Sequence, residues 1–306
     1  MIDSFRGYVN TWECDDVGHM NVQFYIARFA QAQGVLNVAL GLGARSARTT
    51  GLSLVPLEDH VHFRNELRVA DTMTVASGIK DLSTDHLTVF HEMREAVSGT
   101  VAATALTRLA LTRTGDAAPV PLPDTLINRA AVLTVSVPET AGPRSVGAVH
   151  PPLPALTFDE ARSRGLIHAY SGIVDPKDCA ADGRLLPQGF MARHSDGGGH
   201  LWAGVGMDRR RLIDQGIGIA LVEYQQLYLT LPPAGTALSL MSGITNVGRK
   251  TVSFAHFIFD AETGAPLGRA EATALLLDLK ARRSADLTPQ DRDRLMKVKA
   301  GQALRP

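Results

Sequence analysis

The order of apolar and polar residues predicts one long helix followed by several strands in the first part of the chain. Residues 22–40 carry apolar and small side chains around most of a helical circumference, with Asn21 as N-cap and Gly41 as the stop. A helix so weakly amphipathic is expected to be largely enclosed by other structure. Period-two patterns then predict strands at 53–63, 72–82, 86–94 and 101–112. A buried helix wrapped by an antiparallel sheet is an α+β arrangement.

A shift of 165 residues aligns the chain with itself. Ser77-Gly78-Ile79 falls on Ser242-Gly243-Ile244, and His91 falls on His256. This register holds from residue 7 to about residue 111 without a gap, which indicates a duplication. The second unit is therefore predicted to have the same arrangement as the first.

Proline-rich stretches separate the two copies. They occupy 118–123 and 138–154, and proline at this density opposes the interiors of helices and sheets. We predict a first domain at 1–117, a linker at 118–156 with a short helix at 124–135, and a second domain at 157–306. A terminal helix that starts with Thr288 as N-cap and Pro289 matches the linker helix.

Composition and charge narrow the class of protein. The 306 residues are 45% hydrophobic and 20% charged, and the formal net charge is zero, so the chain gives no reason to expect a nucleic-acid partner. No apolar run approaches the ~20 residues of a membrane span, and the N-terminus does not resemble a secretory signal. Only Cys14 and Cys179 are present, which fits a reducing compartment. We expect a cytoplasmic protein with no membrane partner.

The segment before the first helix carries the main candidate chemistry. Asp15, Asp16, Gly18 and His19 precede a helix N-terminus, where unpaired N–H groups carry about half a positive charge. Such a site can stabilise an oxyanion while a carboxylate activates water or attacks directly. The alternative is that Asp15, Asp16 and Asn21 only cap the helix.

The motif Asp15-x-x-Gly18-His19-Met20-Asn21-x-x-x-Tyr25 resembles that of hotdog-fold thioesterases, the 4-hydroxybenzoyl-CoA thioesterase-like group. Segments 57–63 and 87–93 resemble its betainyl-CoA thioesterase branch. The resemblance implies two hotdog domains in tandem, each a long central helix wrapped by a curled antiparallel sheet. It also implies that Asp15 is the general base or nucleophile on the thioester. Backbone N–H groups from Gly18 to Gln23 would hold the thioester oxygen, and His19 and Tyr25 would line the substrate site.

The second copy departs from this motif. At the same offset, Ala180 replaces Asp15, Arg184 replaces His19, and Leu186 replaces Asn21. We therefore expect one functional site per chain, in the first unit.

Glu58, His60 and His62 alternate along one predicted strand and are expected to share one face, opposite Val55, Leu57, Val61 and Phe63. That face is either solvated or turned toward the thioester or the other unit. Glu58 recurs as Glu223, whereas His60 becomes Gln225. This asymmetry favours Glu58 and His60, together with Asn21, as groups that orient the substrate.

Two further sets of residues are candidates for binding. Gly248, Arg249, Lys250 and Thr251 resemble a strand–turn–strand segment that lies along CoA in related thioesterases, and adjacent Arg and Lys suit phosphate. An ordinary exposed basic turn is the alternative, and the arginines at 209–211 are a second possible phosphate contact or a solvated helix end. His194, Asp196 and His200 only weakly suggest a metal, so we expect no metal and no cofactor beyond CoA as part of the substrate. His91 and His256 are predicted to be hydrogen-bonded core histidines, and Cys14 and Cys179 to serve packing.

The sequence thus predicts an acyl-CoA thioesterase with a small-molecule acyl-CoA substrate. The alternatives are a hotdog enoyl-CoA hydratase or dehydratase and a non-catalytic acyl-CoA sensor. The pattern is compatible with any acyl group, with CoA or carrier-protein thioesters, and with either a monomer or a homo-oligomer of tandem chains.

Overall fold

The computed structural model describes residues 1–114, 118–147, 153–302 and 304. It divides the chain into two units, Met1–Gly142 and Pro143–Pro306. The segment predicted as a linker, 118–156, is shared between these units, and its residues 148–152 lie outside the described part of the chain. No helix in that described part is long and apolar enough to cross a bilayer.

The first unit is a central helix on a five-stranded antiparallel sheet. Its helices are α1 (Val22–Ala39), α2 (Ala44–Thr50) and α3 (Asp124–Ala131). Its strands are β1 (Ile2–Tyr8), β2 (Leu52–Phe63), β3 (Thr72–Leu82), β4 (His86–Glu95) and β5 (Val101–Arg113), with a short β6 (Pro119–Val120) paired to β5. The strand order is β1-β3-β4-β5-β2.

The second unit repeats this arrangement. Its helices are α4 (Phe158–Ser163), α5 (Pro187–Gly204), α6 (Arg209–Asp214) and α7 (Pro289–Gln302). Its strands are β7 (Ile167–Ile173), β8 (Ile217–Tyr228), β9 (Ala237–Val247), β10 (Thr251–Asp260), β11 (Pro266–Asp278) and β12 (Arg283–Ala285). The order β7-β9-β10-β11-β8, with β12 on β11, matches that of the first unit.

The predicted α+β arrangement is confirmed, and the four predicted strands and the central helix of the first unit lie within a residue or two of their expected positions. Asn21 caps α1, since its side-chain oxygen accepts a hydrogen bond from the Gln23 amide. The linker helix is shorter than predicted and ends at Ala131. Strand β1 and helix α2 were not predicted.

Helix α1 is less enclosed than its sequence suggested. Phe29 and Leu36 are buried against the sheet, whereas Val35 and Val38 are 47% and 65% exposed. The expectation of an enclosed helix is therefore wrong for the C-terminal half of α1. Leu36 packs with Ile79 and Val89 of the sheet and with Leu126 of α3, so the linker helix completes the core of the first unit.

A β-bulge at Leu57 makes the predicted assignment of side chains to the two faces of β2 wrong at its N-terminal end. Pro56 pairs with Leu109 and Glu58 pairs with Arg108, so Leu57 has no partner of its own and the period-two alternation is broken there. Val55 and Leu57 therefore do not continue the face of Val61 and Phe63 as predicted. The second unit has the same bulge at Val222, the residue 165 positions later.

The solvated alternative for the β2 face is also wrong for its histidines. His60 and His62 are 3% and 5% exposed. Their neighbour Asp59 is buried as well and accepts a hydrogen bond from the Thr107 hydroxyl at 2.6 Å.

The predicted core histidines are confirmed. His91 hydrogen-bonds Ser77 at 2.6 Å and Gln33 at 3.2 Å, and His256 hydrogen-bonds Ser242 at 2.6 Å. Burial lowers the pKa of His91 and of His256 to about 3. His194 of α5 stacks on His256 with ring centroids 4.7 Å apart, and burial lowers its pKa too.

From these buried histidines we predict that the free energy of unfolding falls in mild acid. Each is neutral in the folded protein, whereas the unfolded chain binds a proton as the pH drops below the ordinary histidine pKa of 6.5. The unfolded state thus gains protons that the folded state excludes until pH about 3. By pH 5 the loss is about 2 kcal/mol for each of His91 and His256.

Urea unfolding at pH 7, 6 and 5 measures this effect. The exposed His200→Ala variant should keep the same pH slope. A free energy of unfolding that is constant from pH 7 to pH 5 would contradict the assignment.

Candidate active site

The residues ahead of α1 form a tight turn around the Asp15 carboxylate. The Asp15 amide donates to the His19 carbonyl at 2.8 Å, and the Gly18 amide donates to the Asp15 carbonyl at 3.1 Å. Gly18 has a φ of +81°, a left-handed conformation that favours glycine. The Oδ1 atom of Asp15 accepts the amides of Val17 and His19, both at 3.0 Å. Its Oδ2 atom accepts no hydrogen bond from the described residues.

Nearly all amides between residues 17 and 24 are engaged. The Gly18 amide is used within the turn, and the Gln23 amide donates to the Asn21 side chain at 3.0 Å. The Met20 amide donates to Leu67 and the Asn21 amide to Glu13, both at 2.8 Å. Within the described part of the chain, Val22 N–H is the one amide of this stretch that donates to no protein acceptor. Val22 is the first residue of α1.

A buried ion pair connects the turn to the helix. Glu13 is 3% exposed, and its carboxylate binds the guanidinium of Arg28 in α1. The same carboxylate accepts the Asn10 amide at 2.8 Å, while the Glu13 carbonyl accepts the Asn21 amide. Both ends of the Asp15 turn are therefore held by one residue.

The second unit builds the same backbone turn without a carboxylate at the position of Asp15, and the side chain of Asp182 accepts the Arg184 amide instead, at 3.1 Å. The Ala180 amide donates to the Arg184 carbonyl at 2.8 Å, and the Gly183 amide donates to the Ala180 carbonyl at 2.9 Å. Gly183 has a φ of +80°. Asp178 forms the ion pair with Arg193, which corresponds to Glu13 with Arg28. Helix α5 then begins with Pro187, the counterpart of Val22.

The predicted substrate residues His19 and Tyr25 both face the segment that follows β2. His19 is 9% exposed and its Nε2 lies 3.4 Å from Glu66. The Tyr25 hydroxyl accepts the Leu67 amide at 3.0 Å, and burial raises the pKa of Tyr25. These contacts attach the turn and the start of α1 to the segment between β2 and β3.

Glu58 and His60 are positioned by β2 rather than by the turn. Glu58 is half-buried and lies 3.3 Å from Arg108. The His60 ring meets the His62 ring edge-on at 4.9 Å, and His62 Nε2 lies 2.8 Å from the Gly142 carbonyl oxygen.

The residue that matches Glu58 in the second unit has a different partner. The Glu223 carboxylate accepts the amides of Arg144 and Ser145 at 2.7 Å and the Ser145 hydroxyl as well. It thereby fastens the start of the second unit to β8. The recurrence of this glutamate in both copies therefore supports a structural role at least in the second.

The basic residues of the second unit are partly neutralised. Gly248, Arg249 and Lys250 form the turn between β9 and β10, which begins at Thr251, and Arg249 lies 2.6 Å from Asp286. Arg211 of the 209–211 run lies 3.3 Å from the buried Asp291.

The three residues considered as metal ligands do not share one environment. His194 is buried against Tyr224 and His256, while Asp196 and His200 are exposed on α5.

Neither cysteine shows nucleophilic features. Burial, assisted by the nearby carboxylates of Asp15 and Glu13, raises the pKa of Cys14. Burial also raises the pKa of Cys179. Both thiols lie near backbone carbonyls of the preceding turn, which agrees with the predicted packing role.

Sequence reasoning missed Arg28, Asp59 and Glu66. The repeat held a signal for the first, because Arg28 recurs as Arg193 and an acid recurs at both Glu13 and Asp178. Asp59 and Glu66 have no such signal, since their contacts depend on the tertiary fold.

Comparisons with known proteins find similar sequences and structures among thioesterases. Residues 9–130 match the thioesterase-like superfamily. The structure is similar to a 12:0-ACP thioesterase from Umbellularia californica, with a TM-score of 0.64, 13% identity, and coverage of 89% of this chain and 93% of that one. It is also similar to an acyl-ACP thioesterase from Bacteroides thetaiotaomicron, with a TM-score of 0.65, 10% identity, and coverage of 88% and 96%. No relative was found among curated protein sequences.

The ion pair under the turn predicts a large effect of Arg28→Ala. Removing the guanidinium leaves the buried Glu13 carboxylate without its counter-charge, which costs about 3–5 kcal/mol of unfolding free energy. Chemical denaturation measures it. Arg94→Ala, which removes the more exposed pair with Glu92, should cost under about 1 kcal/mol. Equal losses in the two variants would show that the ion pair does not hold the turn.

Proposed function

We propose that this chain is a thioester hydrolase that converts an acyl-CoA to a free acid and CoA, with Asp15 as its catalytic carboxylate. The match of residues 9–130 to the thioesterase-like superfamily supports this proposal. The chain folds as two hotdog domains in tandem, each with its central helix on an antiparallel sheet. We assign one functional site per chain, with its catalytic carboxylate in the first unit.

The observation that carries the proposal is the turn of the second unit. Ala180 occupies the position of Asp15, yet the backbone hydrogen bonds and the left-handed glycine are the same. The turn therefore does not need a carboxylate at this position to form. In the second unit Asp182 accepts the amide that corresponds to that of His19, so the turn can form with its carboxylate elsewhere. The placement of a carboxylate at position 15 itself supports the proposed chemical role.

The geometry supports a division of work between the two oxygens of Asp15. Oδ1 is held by two amides, which fixes the orientation of the carboxylate. Oδ2 is left to take a proton from water, whose oxygen then adds to the thioester carbonyl carbon. Collapse of the tetrahedral intermediate breaks the C–S bond, and CoA leaves as a thiol once that proton returns. Direct attack by Oδ2 followed by hydrolysis of the anhydride yields the same products.

We assign the oxyanion to the N-terminus of α1. Val22 N–H is the amide left over by the hydrogen bonds of residues 17–24 in the described structure, and it lies at the positive end of the helix. The second unit has lost both groups together, because Ala180 replaces the carboxylate and Pro187 has no N–H. This joint loss supports a joint function.

The remaining assignments concern substrate binding. We propose that Asn21, Glu58 and His60 orient the thioester, and that the turn of Gly248, Arg249, Lys250 and Thr251 binds phosphate groups of CoA. Arg249 is 72% exposed and offers a planar guanidinium, which suits bidentate contact with phosphate.

Asp15→Asn tests the catalytic carboxylate. The amide oxygen of asparagine can still accept the hydrogen bonds from Val17 and His19, so the fold should persist while kcat falls about 10²–10⁴-fold. Thiol release from a panel of acyl-CoAs, read with a chromogenic disulfide, measures the loss. Asp182→Asn is the matched control, because Asp182 accepts the Arg184 amide in the equivalent turn of the second unit. Turnover retained in Asp15→Asn would refute the assignment.

Val22→Pro tests the oxyanion donor. Proline is tolerated at the first helical position, as Pro187 shows in α5, and it removes a single N–H. We expect kcat to fall about 10²–10³-fold with little change in thermal stability. Val22→Ala, which keeps the amide, should retain most of the activity. Similar kcat values for the two variants would assign the oxyanion to another group.

A further inference from the structure

The basic turn of the second unit is held by the segment that leads into α7. The Leu287 amide donates to the Arg249 carbonyl at 3.0 Å, and Arg292 of α7 donates to the Gly248 carbonyl at 2.9 Å. Lys250 donates to the carbonyl and hydroxyl oxygens of Ser284 at 3.2 and 3.1 Å. The backbone of the turn is therefore fixed by contacts that do not involve the Arg249 side chain.

One carboxylate serves the two cations of this turn. Asp286 Oδ2 lies 2.6 Å from Arg249, and Asp286 Oδ1 lies 3.7 Å from Lys250. The side chains of Arg249 and Asp286 are 72% and 51% exposed. Ion pairs this exposed contribute little free energy because water and salt screen them. Asp286 can thus be displaced from Arg249 at small cost.

The charge at the turn is not balanced by that carboxylate. Arg249 and Lys250 together outnumber Asp286, and Arg292 lies beside the same turn. A phosphate monoester carries about two negative charges at neutral pH, and a guanidinium binds it through two parallel hydrogen bonds. Phosphate therefore matches the two cations better than one carboxylate does.

The first unit lacks both halves of this arrangement. Its equivalent turn carries Ser83, Asp85 and His86, whose side chains hydrogen-bond one another at 2.7–2.9 Å. The short strands β6 and β12 pair with equivalent residues of β5 and β11, so Pro121 after β6 occupies the position of Asp286 after β12. The basic turn and its competing carboxylate thus occur together in one copy and are both missing from the other.

We propose that Asp286 is a specificity-determining residue that competes with a phosphate group of the substrate for Arg249 and Lys250. This inference rests on the proposed function of the turn. In the free protein the Asp286 carboxylate forms ion pairs with Arg249 and Lys250, and only a ligand of higher negative charge displaces it. Substrates that carry the 3′-phosphate of CoA are favoured over substrates that lack it.

Asp286→Asn makes the inference testable through a gain of affinity. Isothermal titration of the full chain with CoA should give a dissociation constant at least about threefold lower than that of the unchanged protein. Asp293→Asn is the matched control, because it removes one exposed negative charge from the same α7 region. It should stay within about twofold. Arg249→Gln should weaken CoA binding about tenfold and weaken binding of dephospho-CoA much less.

Three results would overturn the proposal. The first is that Asp286→Asn binds CoA no more tightly than Asp293→Asn does. The second is that Asp286→Asn binds CoA more weakly than the unchanged protein, which would make Asp286 a positioning residue. The third is that Arg249→Gln binds CoA as tightly as the unchanged protein. Thiol release from acyl-pantetheine, which has no phosphate, tests the catalytic role of Asp15 independently of phosphate binding at the turn. If any of these three results is found while release from acyl-pantetheine still depends on Asp15, the proposed role of Asp286 is wrong and the proposed hydrolase activity is not affected.

Discussion

An ion pair between an acidic residue and an arginine of the central helix supports the candidate site in the first unit and its counterpart in the second. Glu13 binds Arg28, and Asp178 binds Arg193. A charge as buried as Glu13 is stable only with a partner, so the turn ahead of the helix cannot move away from it without a large cost. The Glu13–Arg28 pair thus anchors the turn that carries Asp15, in addition to the hydrogen bonds that Asp15 makes within it.

This arrangement separates the scaffold from the chemistry. Because the turn depends on the ion pair, on backbone hydrogen bonds and on a left-handed glycine, the residue at position 15 or 180 can change while the backbone stays the same. The second unit shows the result, with Ala180 in the turn and Pro187 at the helix start. The catalytic proposal needs only two groups beyond this scaffold, which are one carboxylate oxygen and one amide of α1.

Much of the fold could be predicted because the repeat and the hydrophobic periodicity are local signals. The strands of the first unit and the cap at Asn21 follow from such patterns. The bulge at Leu57 has no local signal, so the alternation predicted for Val55 and Leu57 is wrong. The sequence leaves the face of His60 open between a solvated and a covered position, and the structure buries it. Contacts between distant segments were equally hidden, as with Glu223 and Ser145, which are 78 residues apart. Of the candidate site, the motif residues were identifiable from the sequence. That the Val22 amide donates to no acceptor among the described residues could be found only by following each hydrogen bond.

The comparison of the two copies gives a criterion for function that neither copy gives alone. The Ser77–His91 and Ser242–His256 pairs recur with the same 2.6 Å contact. The acid–arginine pairs recur as well, and these recurring features hold the fold. Features that differ on an unchanged backbone are those that the fold does not require. Asp15 is one of them, and it has been replaced without loss of the turn. Asp15 and the Val22 amide, which donates to no acceptor in the described residues, both precede or begin the same helix and are both replaced in the second copy. The reaction that both groups can serve accounts for this pairing.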